Sequence, residues 1–267
     1  MTSETNEWMP LRLDGKTAVV CGSSQGIGFS AAQHLAGLGA RVILMARNVS
    51  RLNQALAALP NPERHSIAQA DFSNPDDVRA AIDRVVAVET VHILVNNTGG
   101  PAGGPIIEAD IQAFRNTFEQ HLICNHLLAQ ATLPGMKAAG YGRIINVIST
   151  SVKQPLANLG VSNTVRGAVA SWAKTWANEV SAFGITVNNV LPGATNTARL
   201  DQIIANKSEK SGQEPEAIRA QMAAEVPMKR TGNPEEVGRA IAFLASPSAS
   251  YISGINLPVD GGRTSSL

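Results

Sequence analysis

Apolar positions along the chain fall into two alternating patterns, and together they predict the fold. Short runs that are β-branched or continuously apolar, bounded by Gly, Pro or Asn, stand at 17–21, 41–46, 66–71, 92–96, 142–149, 186–191 and 255–258. Such runs mark strands covered on both faces. Between them, amphipathic stretches predict helices over 26–37, 50–59, 75–89, 113–139, 161–181 and 234–245. Strands alternating with helices of this length imply right-handed crossovers and a parallel sheet with helices on both faces. The expected architecture is one doubly wound α/β domain on seven strands, residues 13–267, behind a polar N-terminal tail at 1–12. Residues 198–225 are polar and helix-prone; they are expected to form a lid over a pocket, with a plain surface helix pair as the alternative.

Composition narrows the function classes. A chain of 267 residues, 44% hydrophobic and 16% charged, buries a full core as one domain and leaves little for a second. Its 22 Lys and Arg are spread along the chain and balance 21 Asp and Glu, so it carries no footprint of a nucleic-acid or membrane binder. A small-molecule partner is expected. No segment approaches the roughly 18 apolar residues of a membrane span, and the first ten residues hold no apolar run. Cys21 falls in a predicted strand and Cys124 in a predicted helix, which points to two reduced thiols in a cytoplasmic protein. No metal site is expected.

The first chemical motif is Cys21-Gly22-Ser23-Ser24-Gln25-Gly26-Ile27-Gly28, with a strand leading in and a helix leading out. That context suits a loop that cradles a pyrophosphate: Gly22 allows the tight turn, Gly26 lets backbone approach the anion, and Gly28 lets the helix pack on the sheet. The alternative is an ordinary strand-to-helix turn.

Further motifs follow in order, and with them the chain resembles the short-chain dehydrogenase/reductase family. Asp71-Phe72 resembles the pair that lies against the adenine, and Asn96-Asn97-Thr98-Gly99 resembles Asn-Asn-Ala-Gly. Pro192-Gly193 with Thr195 and Thr197 follows the sixth strand. The tail, residues 227–232, Pro234-Glu235-Glu236-Val237 and Val259-Asp260-Gly261-Gly262, resembles that of the 3-oxoacyl-acyl-carrier-protein reductases. The resemblance runs from residue 13 to 262 and implies a Rossmann-type sheet. It also implies a dinucleotide site that includes Ser24, Gln25, Ile27, Asn97 and Gly99, and a homodimer or homotetramer built through the helices at 113–139 and 161–181.

Cofactor choice is read at the end of the second strand, where a carboxylate would favour NAD. Arg47 stands there instead, 19 residues after Gly28. Its fork of donors suits a phosphate held bidentately, and in the related family this implies NADP. A solvated arginine is the bland alternative.

The family's chemistry rests on a tyrosine acid/base, a lysine four residues later that holds the ribose and lowers the tyrosine pKa, a serine on the substrate oxygen and an asparagine that anchors a water. Ser149 fits the serine. Thirteen residues on, the tyrosine position falls on Ser162 and the lysine position on Arg166. The asparagine position falls on His121, with Asn125 one helical turn away as the alternative. Neither Tyr141 nor Tyr251 is followed by a lysine four residues later, so a shifted alignment does not restore the pair.

Ser162 ionises too weakly to replace a phenol of pKa ~10, and Arg166 stays charged, so it holds hydroxyls or an oxyanion without shuttling protons. His121 has an ordinary pKa near ~6.5 and is a candidate acid or base, with a histidine satisfied inside its helix as the alternative. Lys153 is another candidate cation, or a solvated loop residue. Three functions stay open: an NADP(H)-dependent oxidoreductase on a carbonyl or secondary alcohol, a non-redox carbonyl enzyme of the lyase or retro-aldolase type, and a silent NADP-binding protein.

Overall fold

The computed structural model describes residues 10–266. In chain order it contains β1 (Thr17–Cys21), α1 (Gly26–Gly37), β2 (Arg41–Ala46), α2 (Val49–Ala57), β3 (Ser66–Gln69), α3 (Pro75–Val86), β4 (Ile93–Asn96) and α4 (Ile111–Phe118). After these come α5 (Cys124–Ala139), β5 (Gly142–Val147), α6 (Gly160–Val180), β6 (Ile185–Pro192), α7 (Ala198–Ser211), α8 (Pro215–Ala224), α9 (Pro234–Ala245) and β7 (Asn256–Val259). The strands form one parallel sheet in the order β3-β2-β1-β4-β5-β6-β7, so the expected doubly wound, Rossmann-type fold on seven strands is what the chain adopts.

Alternate strand residues feed two cores. Val20, Val42, Leu44 and Val95 pack with Leu35 of α1, Leu52 of α2 and Ile241 of α9. Val19, Ile43, Met45 and Leu94 pack on the other face with Ile82 of α3, Leu128 of α5 and Ala177 of α6. Burial on both faces explains why these strands read as continuous apolar runs rather than alternating ones.

The strand and helix ends differ from the predicted ones where polar side chains divert the backbone. β3 stops two residues short of 71 because the Asp71 carboxylate accepts the Ser73 amide at 2.9 Å and its hydroxyl at 2.8 Å. β5 stops short of 149 because Ser149 Oγ accepts the Ser151 amide at 3.1 Å and opens a 3-10 turn over Thr150–Val152. The helix predicted over 113–139 begins at Ile111, capped by Asp110. It is interrupted by a π turn over Glu119–Ile123 between α4 and α5. The 198–225 segment folds as the pair α7 and α8, joined by Leu200, Ile204 and Ile218 and by an Arg219–Asp201 ion pair at 2.6 Å.

Of the expected N-terminal tail, residues 1–9 lie outside the described residues. Pro10 is already docked: its carbonyl accepts the Ser248 amide at 3.3 Å and hydroxyl at 3.0 Å.

Candidate active site

The motif residues converge at the C-terminal ends of β1, β4, β5 and β6, where the strand order reverses between β1 and β4 and loops diverge to leave a crevice. The glycine loop is closed down so far that side chains are excluded. A methyl group on Gly22 would stand 2.4 Å from the Asn97 carbonyl oxygen, and one on Gly28 would stand 2.3 Å from the Gly22 carbonyl oxygen. Asn97 Nδ2 donates to the carbonyls of Cys21 and Gly22, both at 3.3 Å, tying the end of β4 to this loop. Gly26 has φ +59° and opens α1.

Gln25, the N-cap of α1, makes no side-chain cap hydrogen bond, and the first turn holds no acid. The amides of that turn therefore remain available to an anion. Ser24 and Ile27 are half-buried beside them. Arg47 is exposed at the end of β2, with no carboxylate in its place. Phe72 packs against the core under α3 and α5, and its carbonyl accepts the Cys124 thiol at 3.5 Å. Gly193 lies so close to the β7 end that a methyl group there would stand 2.9 Å from Asp260 Cα. Thr195 Oγ1 donates to the Gly193 carbonyl at 3.1 Å, and Thr197 caps α7 while its methyl comes within 3.3 Å of a Cβ built on Gly26.

Ser149 Oγ accepts from the Ser151 amide, which leaves its own O–H to donate. Ser162 and Arg166 lie four apart in the first turns of α6 and so share a face. Arg166 is 8% exposed, and its Nη1 donates to the Val147 carbonyl at 3.1 Å, two residues before Ser149. Burial lowers its pKa to about 10, with the neighbouring charge of Arg199 as the second cause. A guanidinium at that value is still charged near neutral pH.

His121 sits in the π turn, 1% exposed, with Nδ1 at 2.6 Å from Thr98 Oγ1. Its Nε2 is buried with no hydrogen-bond partner. Burial, then the charge of Arg166, hold the imidazole well below its ordinary pKa, while a backbone bond at Gly99 acts the other way. The π turn is a single-turn widening of the kind found at functional sites. Asn125 is buried one turn further on. Lys153 is half-buried just after the 3-10 turn.

The two tyrosines are elsewhere. Tyr141 precedes β5 at the opposite edge of the sheet, donating to the Ala245 carbonyl at 2.6 Å, and Tyr251 is fully exposed. The thiols of Cys21 and Cys124 are both free and buried, and burial raises both pKa values, that of Cys124 to about 12.

Two structural features of the site had no isolated sequence signal. Ser23, fully buried, accepts the Met45 amide through Oγ at 3.0 Å and pins the glycine loop to β2. Asn96, Asn146, Asn189 and Asn256 stand in register across β4 to β7, and their side-chain amides donate in sequence at 2.8, 2.9 and 2.8 Å. The chain of amides locks the strand ends that carry the site.

The chain is similar to known proteins over nearly its whole length. The enoyl-(acyl carrier protein) reductase family model matches residues 22–264. The NADPH-dependent reductase BacG of Bacillus subtilis is 30% identical over 256 residues, covering 94% of this chain and 99% of its own. The 3-oxoacyl-acyl-carrier-protein reductase FabG of Vibrio cholerae is 35% identical over 255 residues, covering 94% and 98%. The structure of L-sorbose reductase from Gluconobacter frateurii, complexed with NADPH and L-sorbose, is similar with a TM-score of 0.90 at 33% identity, covering 97% of this chain and 100% of that one. With its sheet order, its glycine-loop geometry and this likeness over nearly its whole length, the chain belongs to the short-chain dehydrogenase/reductase family.

Proposed function

We propose that the protein is an NADP(H)-dependent oxidoreductase that interconverts a carbonyl and a secondary alcohol, with acid/base groups other than a tyrosine–lysine pair. The observation that carries this reading is the union of the side-chain-excluding glycine cradle with Ser149 and Arg166 at one crevice. Relatives that span the same length are NADPH-dependent reductases, which favours hydride transfer over a lyase or a silent binder.

The residues fit the dinucleotide. Gly22 makes the tight turn, Ser24, Gln25, Gly26, Ile27 and Gly28 offer backbone donors to the diphosphate, and Arg47 takes the 2′-phosphate. Asp71 and Phe72 border the adenine, while Asn97, Gly99, Pro192, Gly193, Thr195 and Thr197 border the ribose and nicotinamide. When bound, the nicotinamide supplies or accepts a hydride.

Ser149 donates its hydroxyl proton in a hydrogen bond to the substrate oxygen. Ser162 and Arg166 stand where the family's tyrosine and lysine do. Arg166 offers fixed donors to a ribose hydroxyl or to the oxygen that gains charge. Neutral His121 holds its local hydrogen bonds and carries no proton to give as an imidazolium. The proton on the product oxygen therefore comes from water through the Ser149–Ser162 side of the crevice, at a cost of about 10²–10⁴ in rate relative to a tuned acid.

The helix pair α7–α8 serves as the substrate lid. The chain assembles as a homodimer or homotetramer in the cytoplasm; support comes from the exposed Ile111, Phe118 and Ile123 along α4 and the π turn. Among the described residues, no helix is long and apolar enough to cross a membrane.

The test is NADPH oxidation by purified protein, followed by absorbance, over a broad panel of ketones, aldehydes and alcohols. Cofactor-dependent turnover that Ser149→Ala lowers at least tenfold is expected. No turnover with any substrate, despite tight NADPH binding, overturns the reading.

A further inference from the structure

Arg166 is not the only cation at the crevice. Arg199, in the first turn of α7, is partly buried and turns its guanidinium inward: Nη2 donates to the Pro101 carbonyl and Nη1 to Gln202 Oε1 at 3.3 Å. Burial lowers its pKa as well. A methyl group built on Gly100 would stand 3.6 Å from Arg199 Nη2 and 4.0 Å from Arg166 Nη2. The two guanidiniums thus flank Gly100, which carries no side chain to separate them.

Nothing anionic answers them. Among the described residues, no carboxylate forms an ion pair with Arg166 or Arg199, and the acid nearest Arg199 in sequence, Asp201, is taken by Arg219 at 2.6 Å. His121, the other titratable group at this point, is buried with Nε2 unpartnered and is held neutral. Two like charges brought together out of water are unfavourable unless an anion joins them. Paired guanidiniums are the usual geometric match to a carboxylate.

The locus lies on the substrate side. Thr197 stays next to Gly26, whereas the Arg199 side chain extends past the β4 loop to Pro101. Arg166 anchors to Val147, two residues from Ser149. A cleft of about 490 Å³ opens at the start of α6, lined by Ile106, Ser151, Leu156, Gly160 and Asn163.

We propose that the site takes an anionic substrate, an oxo acid or hydroxy acid whose carboxylate is clamped between Arg166 and Arg199 while its carbonyl or hydroxyl oxygen faces Ser149. The proposal rests on the oxidoreductase reading above. In the reductive direction the carbonyl carbon gains a hydride from NADPH, the C=O π pair moves to oxygen, and that oxygen takes a proton from water. Because Arg199 belongs to α7, the carboxylate also ties the helix pair down over the crevice.

The test uses the full chain with pyruvate, acetoacetate and levulinate, each beside its methyl ester, in two arms. In the turnover arm, acids exceed their esters in kcat/KM, and Arg199→Gln narrows that ratio about 10- to 100-fold, as expected for losing a charge-assisted bond; Arg199→Lys recovers part of it. In the binding arm, calorimetry of the matching hydroxy acids with NADP present shows the same loss without needing turnover. Esters turned over as well as acids overturn the clamp and leave the oxidoreductase reading standing. Saturable acid binding lost in Arg199→Gln, with no turnover of either set, keeps the clamp and removes the redox reading. If Arg199→Gln weakens NADPH itself and leaves hydroxy-acid affinity unchanged, the anion is the cofactor's diphosphate and the proposal fails.

Discussion

His121 Nδ1 and Thr98 Oγ1 lie 2.6 Å apart, joining the π turn to the loop after β4 inside a buried, positively charged corner. A proton taken up there would place a charge out of water and near that of Arg166. The sign of its effect on stability follows. The folded pKa lies below the unfolded value of ~6.5, so the unfolded chain takes up a proton that the native state refuses. Stability is full above about pH 6.5 and falls as the pH drops below it. The melting temperature of the wild type should decline on acidification through this range, and that of His121→Asn should decline less. His92, also shifted down by burial, contributes in the same direction in both proteins, so the difference between them isolates His121. Parallel curves would remove the assignment of a neutral buried imidazole.

Restoring the family's pair tests what Ser162 and Arg166 do. Ser162 is half-buried and precedes Asn163, which lines the cleft at the start of α6. Ser162→Tyr combined with Arg166→Lys should raise kcat on a reducible ketone by about 10²-fold or more, because a tunable acid is regained. A kcat that does not rise would mean another group already delivers the proton.

Arg47 reads the cofactor's ribose in the proposed function. With a charge-assisted bond to phosphate worth about 1.5–3 kcal/mol, Arg47→Ala should cut the NADPH-to-NADH affinity ratio about 10- to 100-fold. Fluorescence titration with both nucleotides measures it, and an unchanged ratio sinks the NADP assignment.

The asparagine chain makes a prediction about stability. Asn146→Ala removes the donor to Asn189 and the acceptor from Asn96, both buried. Leaving two polar groups unsatisfied should cost about 2–5 kcal/mol, read as a lower denaturant midpoint. Because the break lies next to the end of β5, substrate affinity should weaken as well. A midpoint within error of the wild type would show that water replaces the amide.

A glycine test is equally direct. Gly28→Ala would place Cβ 2.3 Å from the Gly22 carbonyl oxygen, where no flexible side chain can give way. The variant should lose about 1–3 kcal/mol of stability and much of its nucleotide affinity, since the loop must move. Wild-type melting and binding together would contradict the close packing of the loop.

The fold was legible along the chain because its signals are local. Apolar runs and helical stretches order the strands and helices, and the glycine loop after β1 identifies the switch point without knowledge of any contact. Ser149, Ser162 and Arg166 were singled out through the family resemblance, by counting from the strand end to the positions of its serine, tyrosine and lysine. Element ends were less legible, since Asp71 and Ser149 each end a strand by capturing a backbone amide that periodicity does not see.

What the sequence by itself determined is the doubly wound sheet and the glycine loop at its C-terminal edge, because strand and helix periods and glycine positions act within a few residues. Only the tertiary structure decided which side chains share that edge. Register across four strands set the asparagines in line, a π turn brought His121 to Thr98, and the helix after β6 carried Arg199 towards Arg166. Those contacts join residues dozens of positions apart, and no local pattern records them. Their physical consequence, two guanidiniums flanking Gly100 with no carboxylate paired to either, exists only once the chain has closed.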